Sequence, residues 1–439
     1  MTRVGGTGGN PPRGNHEQSD LVTTSPARGV EMQSLLSDVK VLEVGNFMAV
    51  PFAGMILSDL GAEVTKVENP ERGDETRSTP PFVGGEGAVF LQMNRNKRSI
   101  ALDLKHPRGA DAFRRLACDA DVVLENLRPG AMVRLGLGYD ALAALNAGLV
   151  YVAASGWGRD GPAASRPGLD IMAQARSGLM SITGEPGGPP AKVGVPICDL
   201  TCALYVAIAA LSALHERVHT GRGQFADVSL FEAGVSFTVW EAARFFSTGE
   251  IGARRGSAHQ ATAPYQAIVT ADGWITVGAV TPKTWSAFCD VLEATELIQD
   301  ERFRDAGLRF KHVETLIPLI EAITVTRPSS HWLAGLEAAG VPCAPIQHVG
   351  QVYDDPTLTA RAFLWQSEHP LGGSICQLGS PLRFSKSKTI RRSAAPLLGE
   401  HTREVLGAAG FDTQEVDRLL TDGAARAAEG NEASIASAQ

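Results

Sequence analysis

Apolar residues in this chain come in short runs separated by stretches with a helical rhythm. Lys40–Val44 (KVLEV) reads as a strand, and 51–60 as a helix with proline in its first turn. A second strand follows at 61–68. The alternation repeats with a strand at 98–104, a helix at 107–117, a strand at 121–125, a helix at 139–147 and a strand at 149–155. Strands that alternate with helices in this way build a parallel sheet covered by helices on both faces. From 200 to 214 the chain reads LTCALYVAIAALSAL without a charge, the pattern of a helix buried on all sides. An alternating strand at 225–230 ends this region.

Beyond it the texture changes. A charged, glycine-containing connection occupies 241–256, and 265–269 with 274–280 form a hairpin around Ala271-Asp272-Gly273. Helical segments follow at 283–292 and 313–324. The implied layout is a leader at 1–33, a large domain begun by 34–230, a linker at 231–254 and a smaller α+β domain at 255–335. A return segment at 336–420 completes the large domain, and 421–439 forms a tail. Leader and tail are rich in small and polar residues and are expected to be disordered.

One carboxylate interrupts the apolar stretch at its start, in Val195-Pro196-Ile197-Cys198-Asp199-Leu200. Asp199 has two readings. It caps the helix, accepting a free backbone N–H of the first turn, or it is a nucleophile, partly desolvated and favoured as an anion by the positive end of the helix. The local pattern is compatible with both.

Bulk properties narrow the class. The 439 residues exceed one ordinary core, and 44% hydrophobic with 20% charged residues is typical of a globular protein. A net charge of −8 argues against general nucleic-acid binding. The 6 cysteines form no CxxC pair and no His cluster accompanies them, so neither zinc nor a disulfide framework is indicated, and a reducing, cytoplasmic location is expected. The 200–214 run is shorter than the roughly 20 residues a bilayer requires, so no membrane partner is expected. A dinucleotide site is disfavoured: the loop after the first strand reads GNFMAVPFAG, with Pro51 where the pyrophosphate turn needs glycine.

Several motifs occur in a fixed order: PFAGMILSDLGAEVTKVE, GDETR, NRNKRSIALDLK, ENLRPG, GLGYDAL, SGWGRDGPAASRPGLD, VPICDL, TGRGQ, VPCAPI and PLLGEHT. Together they resemble the family III CoA-transferases, from about residue 36 to 420. The resemblance implies an α/β fold with a large Rossmann-like parallel-sheet domain formed by N- and C-terminal parts, a smaller α+β domain, and an interlocked homodimer. It also implies that Asp199 is the nucleophile, carrying first an acyl anhydride and then a CoA thioester. No permanently bound cofactor is implied, since the CoA thioester is a substrate. On the same grounds Met48, Ala49, Leu102, Lys105, Asn126, Leu127 and Arg134 are expected to contact CoA. Asp170 is expected at the active site, as a helix cap or as a positioning residue. Asn69 stands where the family often has arginine, with Arg72 as a candidate substitute.

Three further segments, PPFVGGEG at 80–87, GLMSITGEPGGPPAKVGV at 178–195 and GSAHQATAPYQA at 256–267, resemble those of succinate–hydroxymethylglutarate and related dicarboxylate transferases, which implies succinyl-CoA as donor and a C4–C6 dicarboxylate as acceptor. His259 and Gln260 are candidates for the acceptor's distal carboxylate. Two other functions stand beside this one. An α-methylacyl-CoA racemase shares the aspartate but pairs it with a histidine where this chain has Leu169. A catalytically silent CoA-binding protein would share the motifs without turnover.

Overall fold

The computed structural model describes residues 34–428, and the expected leader and most of the expected tail lie outside that range. The elements that place the site are β1 (Lys40–Val44), α1 (Ala49–Asp59), β2 (Glu63–Glu68), β3 (Arg98–Leu102), α2 (Pro107–Cys118), β4 (Val122–Glu125), β5 (Val150–Ser155), α3 (Asp170–Arg176), α4 (Ile197–Thr220), β6 (Phe225–Ser229) and α5 (Leu230–Ser236). Further along come α6 (Val239–Thr248), β7 (Tyr265–Thr270), β8 (Gly273–Gly278), β9 (Cys343–Pro345), β10 (Leu364–His369), β11 (Gly373–Leu378) and β12 (Ala425–Arg426).

The main sheet runs in the order β12-β3-β2-β1-β4-β5-β6. The pairings from β3 through β6 are all parallel, and β12 adds antiparallel to β3. Successive strand residues point to opposite faces, so each strand supplies two cores. Val41, Val64, Val122 and Leu124 pack with α1 and α4 on one face, while Leu42, Val44, Ile100 and Val123 pack with α2 on the other. Burial on both faces is why β4 (VVLE) and β5 (VYVAAS) read as nearly continuous apolar runs.

Three expectations need correction. The 200–214 helix is longer than its uncharged run, spanning Ile197–Thr220, and it is not buried on all sides. Leu204, Tyr205 and Ile208 are 48%, 41% and 55% exposed. Its length and hydropathy would suffice to cross a bilayer, yet Cys202, Val206, Ala210 and Leu214 are core residues of the sheet domain. The expected tail is ordered at its start. Ala425 pairs with Leu102 and Arg426 with Ala101, and the Asp103 N–H donates to the Ala424 carbonyl at 2.9 Å. A two-residue strand has no periodicity, so the pattern did not reveal it. The smaller sheet β9-β8-β7 takes β9 from beyond 335, and its core includes Leu336 and Val341. The smaller unit therefore extends past the expected boundary to Pro345.

Candidate active site

The strand order reverses between β1 and β4. From β1 the chain builds outward through β2 and β3, then crosses to β4 on the other side. The loops leaving the carboxyl ends of β1 and β4 therefore diverge and open a crevice, the usual ligand position in doubly wound sheets. Two asparagines brace its floor. Asn126 Oδ1 accepts from the Asn46 backbone at 2.9 Å, and Asn126 Nδ2 donates to the Asn46 carbonyl at 2.8 Å.

The loop after β1 is held from below by buried charges. Lys66 Nζ contacts Glu43 Oε1 and Asp74 Oδ2, each at 2.8 Å, and donates to the Gly45 carbonyl at 2.8 Å. Lys97 Nζ meets the other Glu43 oxygen at 2.8 Å. Asp74 Oδ1 accepts from the Phe47 N–H at 3.3 Å, where Phe47 has a left-handed φ of 61°. Burial opposes charge on Lys66, but Asp74, Glu43 and Glu68 outweigh it and hold its ammonium above the usual lysine range. Lys97 faces Glu43 and the like charge of Lys66, and burial first of all pulls it down to about 8. This anchored loop presents Met48 and Ala49 to the crevice.

A cavity of about 730 Å³ occupies the crevice, and Met48, Ala49, Asn126, Asp170, Lys192 and Asp199 line it. Asp199 does not cap its helix. α4 begins at Ile197 and no side chain of its own caps it, so Asp199 lies within the first turn. The cap comes from another helix. Asp170, the first residue of α3, accepts with Oδ1 from the backbone N–H groups of Cys198 at 2.9 Å and Asp199 at 3.3 Å. Its Oδ2 accepts from Gln174 Nε2 at 2.6 Å, and Gln174 Oε1 accepts from the Val193 N–H at 2.9 Å. Among the described residues no hydrogen bond reaches the Asp199 carboxylate. Desolvation, and next the Asp170 carboxylate, push it up to about 7. The neighbouring Cys198 thiol is raised to about 12, first by burial, which keeps it protonated and unreactive at neutral pH.

The other candidates divide. Leu102, Lys105 and Leu127 line a second hollow of about 210 Å³, together with Asn69, and Asn46 borders both hollows. Asn69 serves locally, its Oδ1 accepting from the Glu71 and Arg72 N–H groups. Arg72 lines neither hollow. Arg134 is exposed, on the short helix that follows Gly130. His259 and Gln260 do not border the Asp199 cavity within one copy of the chain. The His259 ring stacks on Tyr265 at 5.0 Å, and the Gln260 carbonyl accepts from Arg244 at 2.8 Å. Leu169 lines the cavity, so no imidazole faces Asp199 from that position.

The family model described as CoA-transferase family III matches residues 36–402. The chain belongs to CoA-transferase family III. This family III transferase is 36% identical over 415 residues to the succinyl-CoA:glutarate CoA-transferase of Mus musculus, covering 94% of the chain and 95% of that protein. It is 37% identical over 388 residues to the succinyl-CoA:mesaconate CoA-transferase of Haloarcula hispanica, covering 86% and 97%. A solved CAIB/BAIF family protein from Brucella suis aligns with a TM-score of 0.78 at 36% identity, over 86% of this transferase and 100% of that chain.

Sequence reasoning missed Gln174, Lys192 and the buried network around Lys66 in this transferase. Gln174 follows Asp170 by four residues in DIMAQ, a one-turn spacing that puts both on one helix face and was the available signal. Lys192 sits in the glycine- and proline-rich segment 178–195, which pointed to the dicarboxylate branch as a whole but has no periodicity that singles out the lysine.

Proposed function

We propose that this transferase moves CoA from an acyl-CoA, with succinyl-CoA as donor, to a C4–C6 dicarboxylate, and that Asp199 is the acyl-carrying nucleophile. The observation that carries this reading is the Asp199 carboxylate itself. It lines the cavity at the strand-order reversal, and among the described residues no hydrogen bond satisfies it, while Asp170 supplies the helix cap. A desolvated carboxylate with free lone pairs is a competent nucleophile once ionised.

The chemistry balances in four exchanges. An Asp199 oxygen attacks the donor thioester carbonyl, and CoA leaves as thiolate to give an aspartyl–acyl anhydride. The thiolate attacks the aspartyl carbonyl, releasing the donor carboxylate and leaving an aspartyl-CoA thioester. The acceptor carboxylate displaces the thiolate to form a second anhydride. The thiolate then attacks the acceptor's acyl carbonyl, freeing Asp199 and the new acyl-CoA. Both anhydrides hydrolyse if water is present, which favours the apolar wall formed by Val89, Ala154 and Leu230.

Met48, Ala49 and Asn126 are the proposed contacts of the thioester end of CoA. Leu102, Lys105 and Leu127 in the second hollow, with Arg134 beyond it, would meet its distal phosphate-bearing part. The shared border at Asn46 supports one extended ligand across both hollows. The proposed assembly is an interlocked homodimer. Its support is apolar surface on one copy: the exposed face of α4, Phe246 at 84% and Ile251 at 82% exposure, and an apolar hollow of about 690 Å³ lined by Phe52, Leu204, Phe363 and Leu378.

A CoA-exchange panel of glutarate, hydroxymethylglutarate, itaconate and mesaconate against succinyl-CoA tests the substrate class. Preference for formate or carnitine would refute it. Rapid uptake of α-deuterium into an acyl-CoA in D₂O without acceptor would instead identify a racemase, which the apolar Leu169 side chain argues against.

A further inference from the structure

A dicarboxylate entering the Asp199 cavity meets two carboxylates, Asp199 and Asp170, and like charges at such range repel. One cation lines the same cavity among the described residues: Lys192. Its ammonium has no carboxylate partner among the described residues. Its one hydrogen bond goes to the carbonyl of its neighbour Val193, at 3.1 Å. Lys192 is exposed and shares the cavity with Asp170 and Asp199, the other charged residues of its lining, so its charge is available to a ligand.

The backbone beside it is fixed. Gln174 is fully buried, and its amide oxygen accepts from the Val193 N–H while its amide nitrogen donates to Asp170. Asp170 in turn fixes the first turn of α4 that carries Asp199. A single buried amide thus sets the lysine-bearing segment in register with the reacting carboxylate.

We propose that Lys192 binds the second, non-reacting carboxylate of dicarboxylate substrates, and that Gln174 is the positioning residue that holds the two ends of the subsite in register. The assignment rests on the dicarboxylate transferase reading above. A lysine suits the task because its compact charge sits on a flexible stem, so acids that differ by one or two carbons are accommodated without rebuilding the site. The same contact serves succinyl-CoA, whose acyl group also ends in a carboxylate, and has no role toward CoA itself.

The test compares wild type, Lys192→Met and Lys192→Arg in two measurements: KM for glutarate and for succinyl-CoA by steady-state kinetics, and the affinity for free CoA by calorimetry. Lys192→Met raises both KM values by about 10- to 100-fold, the loss expected of one charge-assisted contact. Lys192→Arg recovers most of that loss, and CoA affinity stays within about twofold in both variants. Equal losses in glutarate KM and CoA affinity would place Lys192 on CoA and overturn the assignment, as would unchanged KM values in Lys192→Met. A wild-type enzyme that turns over monocarboxylates only would remove the underlying dicarboxylate reading, and this subsite with it. Gln174→Glu and Gln174→Leu add the positioning readout: both raise the glutarate KM and shift the acid limb of the pH–rate profile, whereas a merely structural role would lower the melting temperature alone.

Discussion

At the residue scale, the decisive point is which aspartate caps α4. The motif VPICDL left Asp199 open between cap and nucleophile, because both roles place a carboxylate at a helix start. The choice depended on a contact 29 residues away, Asp170 to the Asp199 N–H, which no local pattern encodes. Asp170 lines the same cavity as Asp199, and its service to another helix left no signal in its motif. Two predictions belong here. With its pKa raised to about 7 from 3.8, Asp199 favours the folded state fully only below the unfolded value, and that contribution is lost as pH rises through about 7. Asp199→Asn therefore abolishes turnover yet unfolds later than wild type at pH 8, by roughly 2 kcal/mol after discounting for solvent at the cavity, with the gain vanishing near pH 4. Denaturant titrations at the two pH values check it. Asp170→Asn keeps an acceptor for the helix N–H groups but removes the neighbouring charge, so the acid limb of the kcat/KM profile moves to lower pH.

At the element scale, the strand–helix alternation made β1 to β5 readable, most plainly at β4 and β5, where burial on both faces leaves a continuous apolar signature. Charges inside those strands carried a second message that the pattern alone did not decode. Glu43, Lys66 and Glu68 are core residues of the network under the β1 loop, tied to Asp74, Arg77 and Lys97. Gly54 in α1 is part of this design: a Cβ there would stand 1.9 Å from Glu43 Oε2. Alanine for glycine inside a helix ordinarily stabilises by about 0.5–1 kcal/mol. Gly54→Ala is predicted to destabilise by about 1–3 kcal/mol, because the helix must lift off the buried carboxylate. Lys66→Met leaves Glu43 and Asp74 short of a counter-charge and costs about 3–5 kcal/mol, with a loss of kcat/KM as the Met48–Ala49 loop loosens. Thermal melts and steady-state kinetics on the two variants check both statements.

At the scale of the whole molecule, the topology positions the chemistry. The reversal between β1 and β4 opens the crevice, α4 delivers Asp199 into it, and β12 closes the far edge of the sheet. Comparing a chain that ends at Ala428 with one that ends at Asp422 isolates that edge strand; the shorter chain is predicted to melt several degrees lower, having lost its pairing with β3. The sheet and its class were legible in the sequence because they follow from periodicity. The edge strand, the extent of the smaller unit and the lysine at the cavity were not, because each depends on chain segments that meet only after folding. All of these features converge on one carboxylate, Asp199, proposed to carry the acyl group. The most direct measurement is peptide mass spectrometry after incubation with succinyl-CoA and quenching with hydroxylamine. Wild type is expected to yield a hydroxamate at Asp199, and the inactive Asp199→Ala none. A hydroxamate at Asp170, or undiminished turnover by Asp199→Ala, would contradict it.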